Sequence, residues 1–166
     1  MTHPGDVDEY VAGVRQCLQA SYDVELKDFE GATVVVGHRS DFRWRWGAAR
    51  LHTTVTVAAF GADVGLPALE SYLDASSRAT RTGRIPRGLQ TGTAAVAVAV
   101  LPSVSGTARG WADRAHGHRF AAVAYPVVVG LSPAEVVEPR RMRIGWVFRG
   151  FLREIVVDVV RTPLAR

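Results

Sequence analysis

Arg78, Arg81, Arg84 and Arg87 recur at every third position, with Gly83, Gly88, Thr91 and Gly92 set among and after them. Guanidinium forks bind phosphates and carboxylates in pairs of hydrogen bonds, and glycine lets backbone amides approach an anion closely. An anionic ligand of this chain is therefore expected here. The plainer account is a solvated helix end, where positive charge also complements the helix dipole, and we weigh it above ligand binding. Arg140, Arg141 and Arg143 form a second basic group. The run Phe42-Arg43-Trp44-Arg45-Trp46 alternates aromatic with basic residues. Base stacking beside phosphate neutralisation is what a single-stranded nucleic acid asks of a surface. On a strand, however, Phe42, Trp44 and Trp46 share one face and the arginines the other. We expect a structural strand with its aromatics toward the core and its arginines in solvent. Exposed, the same aromatics would form a protein interface, so Phe42, Trp44 and Trp46 are the interface candidates.

Weaker candidates follow. Asp113, His116 and His118 flank Gly117, a turn able to aim two imidazoles one way, but a structural zinc site wants four ligands and no cysteine accompanies these. Polar loop residues are the preferred account. His52 is a general-base candidate without an assignable partner. Lys27 lies among Glu25, Asp28 and Glu30, which hold it charged, and Cys17 falls at the edge of an apolar helical stripe as a structural thiol. The sequence has no phosphate-binding Gly-x-x-x-x-Gly-Lys loop, dinucleotide fingerprint, Gly-x-Ser-x-Gly elbow or His-Glu-x-x-His helix. No catalytic residue, metal or cofactor is assigned, and the balance is against an enzyme.

The 166 residues, 48% of them hydrophobic, suit a single domain spanning 1–166. One cysteine allows no internal disulfide, and no apolar run approaches the ~20 residues that cross a bilayer. The start resembles no signal peptide, so a cytoplasmic protein without membrane contact is expected. Residues 1–30 carry seven acids and two bases, against nine acids and eighteen bases beyond them. This asymmetry fits an anionic partner, or a homodimer in which the acidic segment meets a basic surface. We expect the homodimer.

Val7, Tyr10, Val11, Val14 and Leu18 recur at helical spacing, predicting a helix over 6–21, and further helices are expected near 66–81 and 147–161. Asp23–Gly31 reads as a linker. Thr33–Val36 is β-branched, Gly37–Asp41 reads as a turn, and strands are expected through residue 60, over 93–101, over 119–129 and over 135–144. Val96, Val98 and Val100 alternate with Ala95, Ala97 and Ala99, so both faces of that strand are expected to be buried, the alanine face under a helix. Pro126 implies a bulge or an edge. Residues 105–115 are helix or loop, and 155–160 helix or strand. The expected core includes Val11, Val14, Leu18, Val35, Val55, Val98, Phe151 and Ile155.

The order α-β-β-β-α-β-(α)-β-β-α indicates an α+β fold, an antiparallel sheet with helices mainly on one face. It is similar in order to the dimeric bacterial secretion-chaperone fold. Abundant β surface without a catalytic set favours a non-catalytic protein-binding or chaperone-like domain of bacterial type. The alternative is an anion-binding domain engaging nucleic acid or phosphorylated ligands.

Overall fold

The computed structural model describes residues 7–29, 31–43, 49–81, 91–114, 122–140, 142 and 148–165. Helix α1 (Val7–Gln19) buries Tyr10, Val14 and Leu18, and is followed by strands β1 (Asp23–Phe29), β2 (Ala32–Arg43) and β3 (Ala49–Ala59). Then come α2 (Leu66–Arg81), β4 (Thr91–Leu101), α3 (Gly106–Asp113), β5 (Ala122–Leu131) and the short β6 (Ala134–Val137). The chain returns through α4 (Arg149–Ile155), a π-helical stretch over Val156–Arg161, and a last turn α5 (Thr162–Leu164). The fold is α+β and the elements follow in the expected order. Residues 105–115 do hold a helix, because the Ser105 hydroxyl accepts the Ala108 amide at 3.1 Å and caps α3.

The strands form one sheet in the order β1 to β6. β1/β2, β2/β3 and β5/β6 are antiparallel, whereas β3/β4 and β4/β5 are parallel. The sheet is thus mixed where an antiparallel one was expected. The connections explain it, since a strand followed by a helix and another strand returns the chain to the same end of the sheet, the geometry of a parallel pair. Both crossovers step the same way across the sheet, so right-handed connections place α2 and α3 on one face. These two share a core with Ala97, Ala99 and Leu101. On the opposite face α1, α4 and the π-helical stretch pack with Val96, Val98 and Val100. Helices therefore cover both faces rather than mainly one, and in this the pairing departs from the one-sided chaperone arrangement. Of the expected core residues named above, only Val11 is merely half-buried.

Three local expectations are corrected. The expected linker holds β1, and the hairpin turn lies at its end, where Gly31 takes φ 89° and donates its amide to Asp28 Oδ1 at 2.8 Å. Gly37 is not a turn residue but sits inside β2. A Cβ there would lie 3.2 Å from Leu18 Cδ2 and 3.3 Å from Tyr22 Cβ, so its missing side chain admits the end of α1. The strand expected over 135–144 is described only as Ala134–Val137, and Pro139 follows without an amide to extend the ladder. Pro126 lies in β5 beyond the stretch Val128–Leu131 that β6 pairs, so among the described residues no strand lies beside it on that side. No described helix is long and apolar enough to cross a membrane.

Candidate functional site

On one face, α1 packs against β1 through β4. On the other, α2 rests on β3 and β4 and α3 on β5 and β6, so the β1–β2 wing has the least helix cover. Beside that wing α2 presents Ala68, Ser71 and Ala75 toward Phe29, Val34 and Phe60. These helix residues lack the bulk to fill the space, and a groove of about 170 Å³ stays open. That is near the ~150 Å³ of apolar cavities that admit benzene, and well below the ~300–1,000 Å³ of typical small-molecule sites. It fits one ring or branched side chain. The Phe60 and Tyr72 rings meet edge to face at 5.3 Å and firm one wall.

Beneath the groove a hydroxyl chain locks α2 to the sheet. Tyr72 OH lies 3.0 Å from both Thr56 Oγ1 and the Val98 carbonyl, Thr56 Oγ1 lies 2.7 Å from Ser76 Oγ, and Ser76 donates to the Tyr72 carbonyl at 2.8 Å. The hydroxyls of Tyr72, Thr56 and Ser76 each have an acceptor within reach, and burial pushes the Tyr72 phenol above its usual range. The arrangement positions the helix; it does not activate a nucleophile.

Farther along the wing, Glu25 Oε1 lies 2.7 Å from Lys27 Nζ and 3.1 Å from His38 Nε2, while His38 Nδ1 lies 3.0 Å from Thr54 Oγ1. The Lys27 hydrogen bond, and after it that of His38, holds the Glu25 carboxyl below the usual carboxylate range. Carboxylate, imidazole and hydroxyl in series are the parts of a hydrolytic triad. Thr54, however, is only 2% exposed, so its hydroxyl does not present itself to a substrate. The series ties β1, β2 and β3 together.

On the opposite face the Arg39 guanidinium lies 4.8 Å from the Tyr22 ring centre and 5.3 Å from that of Phe151, with Nε 2.7 Å from Asp41. Arg43 also covers Phe151, at 4.8 Å, and pairs with Glu154 at 3.1 Å. Phe42 turns the other way and is 49% exposed. This reverses the expected sidedness at these two positions, because Phe42 pairs with Arg50 on the side where the wing lacks close helix cover, while Arg43 falls toward α4. Trp44 and Trp46 lie outside the described residues.

Of the arginine cluster, Arg78 is exposed on α2 and Arg81 ends that helix, while Arg84 and Arg87 lie outside the described residues. So do His116, His118, Arg141 and Arg143. Asp113 Oδ1 is 3.5 Å from Arg140 Nε. His52 is half-buried, and burial, then the Arg50 charge, lowers its pKa. No group of three or more His, Cys, Asp or Glu gathers among the described residues. Glu25, His38 and the groove residues were not singled out from sequence. The small residues Ala68, Ser71 and Ala75 at i, i+3 and i+7 were the visible signal for the groove, and the alternation through β1 the signal for the wing. Comparison of the chain with family models, curated proteins and solved structures returns no match.

Proposed function

We propose that this chain is a non-catalytic protein-binding domain, chaperone-like in holding a segment of a partner protein, and that the partner docks at the groove beside α2. The supporting observation is the groove itself, apolar, the size of one side chain, and continuous with a sheet wing that has little helix cover. Its occupant is an amphipathic segment that inserts an aromatic or branched aliphatic side chain. Burying such a side chain contributes about 1.5–3 kcal/mol, an anchor and not a whole interface, so the charged row of Glu25 and Lys27 supplies polar contacts beside it. The domain acts as a homodimer, in keeping with the opposite charge of its first thirty residues and the remainder.

Panning a displayed peptide library on the protein tests the groove. Peptides sharing one apolar anchor should be enriched, and Ala75→Trp, which fills the groove, should abolish their binding while the thermal melt stays cooperative. Enrichment indifferent to Ala75→Trp, or no enrichment, rejects the groove as the docking site. Engagement of nucleic acid or phosphorylated ligands by Arg78, Arg81, Arg84 and Arg87 is the second reading, supported by the exposure of Arg78. It requires oligonucleotide binding that falls steeply with salt and weakens on Arg78→Gln and Arg81→Gln substitution.

A further inference from the structure

We infer that the outer edge of β1 is the dimer contact, pairing antiparallel with β1 of a second copy in a register centred on Leu26. This rests on the homodimer reading and names its surface. β1 is the first strand of the sheet, and among the described residues no strand pairs with its outer edge. Unpaired amides and carbonyls along an edge are a template for another strand. The other edge, β6, is four residues long, whereas β1 has seven. Short edges are one way proteins avoid such pairing, and β1 does not use it.

The charges on β1 select the partner and the register. About a twofold axis normal to the sheet, residues directly opposite share a face, so each allowed register is defined by the residue on the axis. Centring on Glu25 sets that carboxylate against itself, and centring on Lys27 does the same with ammonium groups. A Val24 centre opposes Asp23 to Glu25, and an Asp28 centre opposes Asp28 to its copy. Only the Leu26 centre opposes Glu25 to Lys27 of the second copy, twice over, with Asp23 diagonal to the same Lys27. It also buries Leu26, 51% exposed and one of three exposed large hydrophobic residues among those described, against its own copy. The Glu25 carboxylate is able to accept this bond, because its contacts with Lys27 and His38 of its own chain both fall on Oε1 and a carboxylate has two oxygens.

The pairing joins two sheets into one of twelve strands. With strands about 4.8 Å apart and α2 seated over β3 and β4, the two copies of α2 stand roughly 30 Å apart on the same face. They wall a trough floored by four strands, β2 and β1 of each copy, and both grooves open into it.

Sedimentation of the full chain and site-directed crosslinking test the contact. Wild type should show a concentration-dependent dimer. Glu25→Lys and Lys27→Glu should each weaken it roughly tenfold or more, since each sets like charges opposite at two places, and the double swap should restore it. In a Cys17→Ser background, Leu26→Cys should form an interchain disulfide on mild oxidation. Opposite Cα atoms in an antiparallel pair are about 4.5–5.5 Å apart, within the reach of a disulfide. Val24→Cys should not crosslink, because its own copy is displaced by roughly 13 Å. The crosslink decides the matter even if a charge variant folds poorly. A wild type that stays monomeric at every concentration overturns the homodimer and this contact together. A dimer whose Leu26→Cys form does not crosslink, or whose Val24→Cys form does, overturns the β1 contact alone.

Discussion

The Tyr10 hydroxyl, in the first helix, donates to the carbonyl of Val160, near the end of the chain, at 2.8 Å. Around it the C-terminal helix widens, with the Thr162 amide reaching back five residues to the Val157 carbonyl. Pro163 is the physical reason. It has no amide for the Val159 carbonyl, and its ring would crowd that carbonyl in a regular α-helix, so a π-helical stretch takes up the misfit. Gly13 makes room for it, as a Cβ there would lie 3.3 Å from Pro163 Cβ. Tyr10→Phe should cost about 1–2 kcal/mol, a fall in Tm of roughly 3–6 °C for a chain of this length. An unchanged melt would mean that the carbonyl finds another donor at no cost.

Tyr10, Tyr22, Tyr72 and Tyr125 all have raised phenol pKa values, in each case chiefly through burial. At Tyr22 the value is pushed up to about 12, with Arg39 opposing the rise and Asp41 and Asp158 adding to it. A raised folded-state pKa means that the folded chain holds the proton more tightly than the unfolded one. The corresponding stability is complete below the unfolded value near 10 and is lost as pH climbs from there toward 12. Urea denaturation across pH should show stability insensitive to these groups up to about pH 9 and a steep fall above 10. Tyr22→Phe should blunt the fall, and an equally steep fall in that variant would remove Tyr22 from the account.

Helix α2 was legible because its apolar stripe repeats at 3.6 residues between Pro67 and Gly83. The layer above β4 was legible because Ala97 and Ala99 can only make room for something bulky. β1 was not, since a strand with three acids and little cover on its outer side looks like a linker until its neighbour is known. Nor did the sequence disclose that β3 and β5 run parallel to β4, because alternation reports which face a residue takes and is silent on strand direction. Phe42 and Arg43 show the same limit. The alternation separated them correctly, but only the register with β3 decides which of the two meets α4. The groove was hidden because it exists by virtue of what Ala68, Ser71 and Ala75 lack, and small residues are common on helices for many reasons.

Gly37 offers a sharp comparison with Gly110. Alanine at 37 brings a methyl to within 3.3 Å of Tyr22 Cβ, an atom that moves only with its backbone, and 3.2 Å from Leu18. We expect a net loss of about 1–2 kcal/mol from overpacking despite the better strand propensity. At Gly110, in α3, an added Cβ meets nothing within 4 Å. Gly110→Ala should therefore stabilise by about 0.5–1 kcal/mol through helix propensity. Opposite shifts in urea midpoint, the larger one at Gly37, are the expected pattern, and stabilisation by both would show that the end of α1 yields to Gly37→Ala.

Arg39 tests whether the basic residues of β2 serve the fold or a ligand. Its guanidinium carbon lies near both the Tyr22 and Phe151 ring centres while Nε pairs with Asp41, so one side chain joins the turn after α1, β2 and α4. Lysine keeps the charge but is a point cation without a flat face, and it cannot stack on two rings while holding a carboxylate. Arg39→Lys should cost about 1 kcal/mol, the usual size of a partly exposed cation–π contact. Oligonucleotide affinity, if any is measured, should not change with it. A large drop in affinity without loss of stability would return this strand to the nucleic-acid reading. A stability equal to that of wild type would mean that Arg43 and apolar contact hold α4 at this point without help from Arg39.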